Sequence, residues 1–244
     1  MKAFVTGGTG TIGSLIIKEL VEQGHKVYFQ YGNNEKTARE LEEKYGARGI
    51  KILLELGEKN IELQKYDIPN DCAILINCVG AHIVVEEAEN VNLSDIEQLF
   101  KINVVFPFAF IKYFLPYMKS SAYGRIVNIS SICGLSIGEN NIPYVVSKHA
   151  FSALTKCIAA EYKDYNIRCN EVCPSAIQSK MNEMILSTES QLYGVALSDY
   201  IKQEQPQGAL SPATVINAIL YLISEKSDPI SGISLVIDNG NAIV

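Results

Sequence analysis

Tyr144 and Lys148 stand in the run Pro143-Tyr-Val-Val-Ser-Lys148, thirteen residues after Ser131. A phenol can give its proton to a carbonyl oxygen only if its pKa, about 10 when unperturbed, is drawn toward neutrality. A lysine four residues on, on the same helical face, supplies a cation that would do so. The pair alone says little, because 13 tyrosines and 17 lysines in 244 positions produce about one Tyr-x-x-x-Lys by chance. Its setting carries the meaning. Arg125-Ile-Val-Asn-Ile-Ser-Ser131 reads as a buried strand delivering a serine, and Thr6-Gly-Gly-Thr-Gly-Thr-Ile-Gly13 links a first strand to a first helix. Such a turn needs positive φ and close backbone approach, and it offers helix N-terminal N–H groups to a pyrophosphate. Gly7, Thr9, Thr11, Ile12 and Gly13 are therefore expected to hold a dinucleotide. Together these features point to hydride transfer between a nicotinamide and a carbonyl.

The elements that must position these residues alternate along the chain. Short apolar runs at Lys2–Thr6, Lys26–Tyr31, Ile50–Leu56, Ala73–Cys78, Arg125–Ser130, Ile167–Cys173 and Ile233–Asp238 predict seven strands. Between them, helical patterns cover Thr11–Gln23, Glu35–Tyr45, Ser94–Lys119, Tyr144–Lys163 and Ser211–Ile223. Strands this apolar are covered on both faces, so the alternation predicts an α/β fold: a Rossmann-type, doubly wound parallel sheet of seven strands with helices on both faces. Right-handed crossovers bring the strand C-termini to one edge, where ligands bind. No repeat or linker interrupts 1–244, which reads as one domain. Residues 179–208 form a long insertion carrying Met181, Met184, Ile185, Leu186 and Tyr193, expected to act as a lid.

Composition limits the alternatives. A net charge of −6 argues against nucleic-acid binding. The longest apolar candidate, around Val104 to Leu115, is broken by Pro107 and Lys112, so no membrane span is expected. With the first strand beginning at Lys2, the chain reads as cytoplasmic. The six cysteines are expected as free thiols, with no metal bound.

Cofactor choice is read at the end of the second strand, where an acidic residue would hold the adenosine ribose of NAD. Here Phe29-Gln-Tyr-Gly-Asn-Asn34 offers no acid before Glu35. NADP is expected over NAD, held through Tyr31, Asn33, Asn34 and Lys36. Pro107 lies at i+4 from Asn103 and cannot donate to its carbonyl, which predicts a bend and a free acceptor there.

With Ser131, Tyr144 and Lys148 in register, the chain resembles the short-chain dehydrogenase/reductase family, in its compact single-domain branch. Further matches are Asn77-Cys-Val-Gly80, Asn103 in Lys-Ile-Asn-Val, Pro174-Ser-Ala-Ile-Gln-Ser179, and Ile237-Asp-Asn-Gly240. The resemblance implies a general acid at Tyr144 and a Lys148 that holds the nicotinamide ribose and lowers the phenol pKa. It implies a substrate hydrogen bond from Ser131 and a proton-relay water at Asn103. It also brings Asn77, Cys78, Val79, Gly80, Pro174, Ile177 and Ser179 to the cofactor, with Glu55 and Leu56 near the adenine. Two departures stand out. Thr11 replaces the middle glycine of the turn, giving the T-G-x-x-G-x-x-G of the epimerase-type branch, and Ser175 replaces the glycine after Pro174.

Among relatives, the 3-oxoacyl-carrier-protein reductases look most similar, through Tyr31-Gly-Asn-Asn-Glu-Lys-Thr-Ala38 and the short tail Ala242-Ile-Val244. They imply an acyl-thioester substrate on an acidic acyl carrier protein. The docking arginines align with Ala122 and Tyr165, leaving Lys119, Arg125, Lys156 and Lys163 as nearby substitutes. Another small ketone, a CoA thioester, a polyketide intermediate, or a non-catalytic NADP-binding role stays open. The aromatic face of Ser94–Lys119 predicts a homo-oligomer, a dimer or tetramer.

Overall fold

A computed structural model describes residues 1–54, 61–82 and 87–240. Seven parallel strands form one sheet in the order β3-β2-β1-β4-β5-β6-β7. They are β1 (Lys2–Thr6), β2 (Lys26–Tyr31), β3 (Arg48–Lys51), β4 (Ile74–Asn77), β5 (Gly124–Ile129), β6 (Ile167–Pro174) and β7 (Ser234–Ile237). The helices are α1 (Thr11–Glu22), α2 (Glu35–Tyr45), α3 (Leu93–Phe100), α4 (Phe106–Ser120), α5 (Ile142–Tyr162), α6 (Lys180–Leu192), α7 (Leu197–Glu204) and α8 (Pro212–Ile223).

Side chains alternate across the strands, so one sheet supplies two cores. Ala3, Val5, Ile74, Ile76 and Val127 pack with Ile16 and Leu20 of α1 and Ile216 and Ile219 of α8. Phe4, Leu75 and Ile126 face the other way, onto Phe110 and Phe114 of α4 and Ile158 of α5. The strand order reverses between β1 and β4, opening a crevice at their C-terminal ends. Thr6 ties the two ends together, its hydroxyl accepting from the N–H groups of Cys78 (3.1 Å) and Val79 (3.3 Å).

Four expectations change. The third strand is Arg48–Lys51 rather than Ile50–Leu56. Ile52 still donates to the Tyr31 carbonyl (3.0 Å) and is buried, but Leu53 then turns to solvent. Apolar character predicts burial there, not the ladder. The run Ser94–Lys119 is not one α-helix but α3, a π turn over Lys101–Val105, and α4. This Leu93–Ser120 stretch is long and apolar enough to cross a membrane, contrary to expectation, yet half of its apolar window is buried against this protein's own core. The insertion at 179–208 holds two helices, α6 and α7, and its base is pinned by an Ile177–Leu210 bridge.

Candidate active site

The glycine turn is built by steric exclusion. A Cβ at Gly13 would fall 2.2 Å from the Gly7 carbonyl, and Gly7 has φ +64° with the Cys78 backbone 3.1 Å from any Cβ. Gln30, a buried glutamine at the end of β2, holds the turn in place. Its carbonyl accepts from Gly8 N (2.8 Å), its Oε1 accepts from Gly7 N (2.8 Å), and its Nε2 donates to the Ile52 carbonyl (2.9 Å). Those bonds use up Gly7 and Gly8, and Gly10 N donates back to Gly7 (3.0 Å). The first-turn donors of α1 lie beyond them, and Gly10 gives α1 no side-chain cap. Such an uncapped N-terminus fits an anionic pyrophosphate.

This turn forms one wall of a cleft of about 770 Å³ lined by Gly7, Thr9, Thr11, Ile12, Gly13 and Asn33. Cys78, Val79, Gly80, Ile177 and Ser179 line it as well. The size is within the range of small-molecule and cofactor sites. Of the other residues expected at the cofactor, Tyr31, Asn34 and Asn77 do not line the cleft. Tyr31 packs on Phe29, Asn34 caps α2 through Thr37 N (3.2 Å), and Asn77 donates to Asn128 (2.9 Å). Glu55 and Leu56 lie outside the described residues, as does Ala242-Ile-Val244.

A second cavity of about 290 Å³ opens beside the first and shares Cys78, Val79, Gly80 and Ile177 with it. Ser131, Tyr144, Lys148 and Pro174 meet here, with His82. Ser131 Oγ accepts from Cys133 N (3.1 Å), which leaves its own proton for another oxygen. Burial pushes the Tyr144 phenol above its ordinary value, and a hydrogen bond from Ser131 pulls it back. Lys148 is buried, and its Nζ donates to the Ile129 carbonyl (3.3 Å). Burial lowers its pKa to about 8, opposed by Cys173 and Glu171. The ammonium lies 5.6 Å from the Tyr144 ring centre. His82 packs edge-on against Tyr144 at 4.7 Å and pairs through Nε2 with the Asn141 amide (3.2 Å). Burial, and then the Lys148 charge, lower its pKa to about 4.

Asn103 lines neither cavity. It is fully buried in the π turn, accepting from Ala81 N (2.8 Å) and donating to the Ala81 carbonyl (3.0 Å) and Ser147 Oγ (3.0 Å). Its side chain thus clamps the segment after β4 to α5.

A model of the short chain dehydrogenases matches residues 1–190. The chain belongs to the short-chain dehydrogenase/reductase family. It is 29% identical over 248 residues to the 3-oxoacyl-(acyl-carrier-protein) reductase FabG of Aquifex aeolicus, covering 98% of this chain and 96% of the relative. The solved structure of ElxO with NADP bound gives a TM-score of 0.79 at 25% identity, covering 98% of this chain and 97% of that one. A variant of actinorhodin polyketide ketoreductase with NADPH gives 0.85 at 21% identity, covering 98% and 96%, a likeness in fold. This dehydrogenase/reductase is accordingly an oxidoreductase that uses a nicotinamide cofactor on a small-molecule substrate.

Sequence reasoning passed over several residues that shape the reductase cleft. Gln30 was legible as a polar residue in an otherwise apolar strand beside the glycine turn. Gln98, Ile102 and Phe106 reach the cleft only because the α3–α4 stretch crosses it. Arg125, expected as a docking substitute, is instead fully buried and paired with Asp228, because its guanidinium also serves the carbonyls of Gly124 (2.8 Å) and Asn166 (2.9 Å). Lys163 is exposed but lies beyond the far end of α5, about 28 Å along the axis from Tyr144.

Proposed function

We propose that this protein is an NADPH-dependent reductase of a 3-oxoacyl thioester. The observation that carries the reading is the meeting of Ser131, Tyr144 and Lys148 in a cavity opening onto the glycine-turn cleft. When bound, the reduced nicotinamide supplies the hydride to the carbonyl carbon. The remaining work is done by side chains. Ser131, with its oxygen already occupied by Cys133 N–H, gives its proton as a hydrogen bond to the carbonyl oxygen. Tyr144 then transfers its proton to that oxygen as negative charge develops. Burial keeps the phenol protonated, the correct state for an acid working in the reductive direction. Lys148 holds positive charge beside it. Asn103 would serve as the relay-water site through its carbonyl, to which Pro107, four residues on, has no N–H to donate.

NADPH is favoured because the acid nearest the end of β2 is already neutralised. Glu35 pairs with Lys51 (2.6 Å) and Arg39 (3.8 Å), and Lys51 lies beside Tyr31 in the sheet register. One carboxylate against two cations leaves a net positive charge beside the end of β2, which suits a 2′-phosphate better than a free ribose. The thioester rests on the likeness to FabG and on the apolar wall of Met181 and Ile185. NADPH absorbance followed with 3-oxoacyl thioesters tests the reading. Wild type oxidises NADPH, and Tyr144→Phe is slower by about 10²–10⁴-fold while binding cofactor normally. Equal rates in the two proteins would remove Tyr144 from its role, and NADPH binding without oxidation on a broad ketone panel would leave a cofactor sensor.

The outward face of α4 and of the π turn before it presents Val105, Phe108 and Tyr117 along a groove of about 1090 Å³. Of the aromatic face expected to pair, Phe106, Phe110, Ile111, Phe114 and Leu115 pack into this protein's own core and Phe108 stays exposed; we assign the remaining groove to a second copy of this chain. Light scattering that shows a monomer at all concentrations would overturn this assignment.

A further inference from the structure

Glu171 is a fully buried carboxylate with no part in the chemistry above. It lies on β6, where Oε2 accepts from Ser152 Oγ (2.9 Å) and Oε1 from Ser234 Oγ (2.5 Å). The Cys173 thiol lies two residues along the same strand, on the same face. Its partners are uncharged, and it forms no salt bridge among the described residues. An acid buried in this way is expensive, so its presence asks for a reason.

Its surroundings supply one. Ser152 is one turn beyond Lys148 on α5 and also meets Ser130 Oγ at 3.4 Å. Because the Ser152 proton goes to Glu171, Ser130 is the donor in that second contact. Glu171 is thereby joined to the strand end that carries Ser131 and to the helix that carries Tyr144 and Lys148. Lys148 is buried too, and it forms no salt bridge among the described residues. A carboxylate in contact with Nζ would draw the ammonium away from Tyr144. One placed a layer behind steadies the charge without capturing the atom, since Coulomb energy falls only as 1/r in a weakly polar interior.

We infer that Glu171 is a positioning residue, a non-contact counter-charge that keeps the Lys148 ammonium protonated in the site. The functional consequence rests on the reductase reading; the charge coupling does not. The titratable groups facing Lys148 are Tyr144 on α5, His82 after β4, Cys133 after β5, and Cys173 and Glu171 on β6. Burial sets Cys173 at about 12 and His82 at about 4, so both are neutral near pH 8, where Lys148 titrates. Glu171 is the carboxylate among the five.

The test is Glu171→Gln, with the Lys148 side chain followed by NMR in protein carrying ¹³C-lysine and assigned through Lys148→Arg. The midpoint of Lys148 is expected to fall by about one pH unit. NADPH oxidation would then drop about fivefold at pH 8 and stay unchanged at pH 6. Glu171→Asp, which keeps the charge, retains the wild-type midpoint. A merely structural Glu171 would instead lower activity equally at every pH, with the Lys148 midpoint unmoved, and that result overturns the inference. Should Glu171→Gln not fold, Glu171→Val, a neutral strand former, gives the same comparison. If no ketone is turned over but the midpoint moves, the coupling stands and the reductase reading falls.

Discussion

Arg125 and Lys148 are both buried cations on the β5 side of the sheet, and the fold treats them in opposite ways. Arg125, near the start of β5, is saturated: a carboxylate from Asp228, two backbone carbonyls, and the Tyr123 ring 4.2 Å beneath its guanidinium. Its Nε alone lacks a partner. Lys148, at the opposite edge, has one carbonyl at 3.3 Å and two ring faces beyond 5 Å. Three rotatable donors on one acceptor leave capacity for something that is not protein. A cation placed for architecture is satisfied by the chain; one placed for chemistry is left under-coordinated, at a cost in stability.

That contrast can be broken by making the same substitution at both sites. Lys148→Met should lower kcat for NADPH oxidation by about 10²–10³-fold, because the site loses its fixed positive charge. The same change should leave thermal stability equal or higher, since an under-paired buried charge is replaced by an apolar chain of similar length. Arg125→Met should do the reverse. It leaves two carbonyls and Asp228 unpaired and costs about 2–4 kcal/mol, moderated because Asp228 is half-exposed and can hydrate. Its kcat should stay within about twofold of wild type, because Arg125 is remote from the cavity. Denaturant melts and steady-state rates on the two variants decide the matter, and a Lys148→Met protein that loses stability as Arg125→Met does would erase the distinction.

The two residues also differ in how far sequence alone could place them. Lys148 was legible because helical spacing fixes its relation to Tyr144, and the strand ending at Ser131 fixes where that helix begins. Arg125 was not, since an arginine opening a strand reads as surface, and its burial depends on Asp228, 103 residues away. The same holds elsewhere. The number of strands and their parallel sheet followed from apolar runs alternating with helices, and the glycine turn from sterics. The β3 boundary did not follow, because Arg48 and Gly49 join the ladder through backbone bonds to β2 that their side chains do not announce. The π turn was half legible, through the N–H that Pro107 lacks. Glu171 was invisible, because its partners come from α5 and β7 and only the folded sheet brings them together.

The smallest expected effect is read at His82. Its imidazole is depressed to about 4, first by burial and second by the Lys148 charge. The unfolded chain takes up that proton near pH 6.5, while the folded protein resists it until about pH 4. Stability attributable to His82 is therefore full above pH 6.5 and lost as pH falls from 6.5 toward 4. His82→Asn should flatten that part of the melting-temperature profile. Lys148→Met should raise the His82 midpoint by less than about one unit, since burial remains, whereas Arg125→Met should leave it in place. Histidine NMR titrations of the three proteins measure this directly. A His82 midpoint that moves equally in both Met variants would mean the two cations act on the site alike, and the contrast between a saturated charge and an open one would fail where it is most finely drawn.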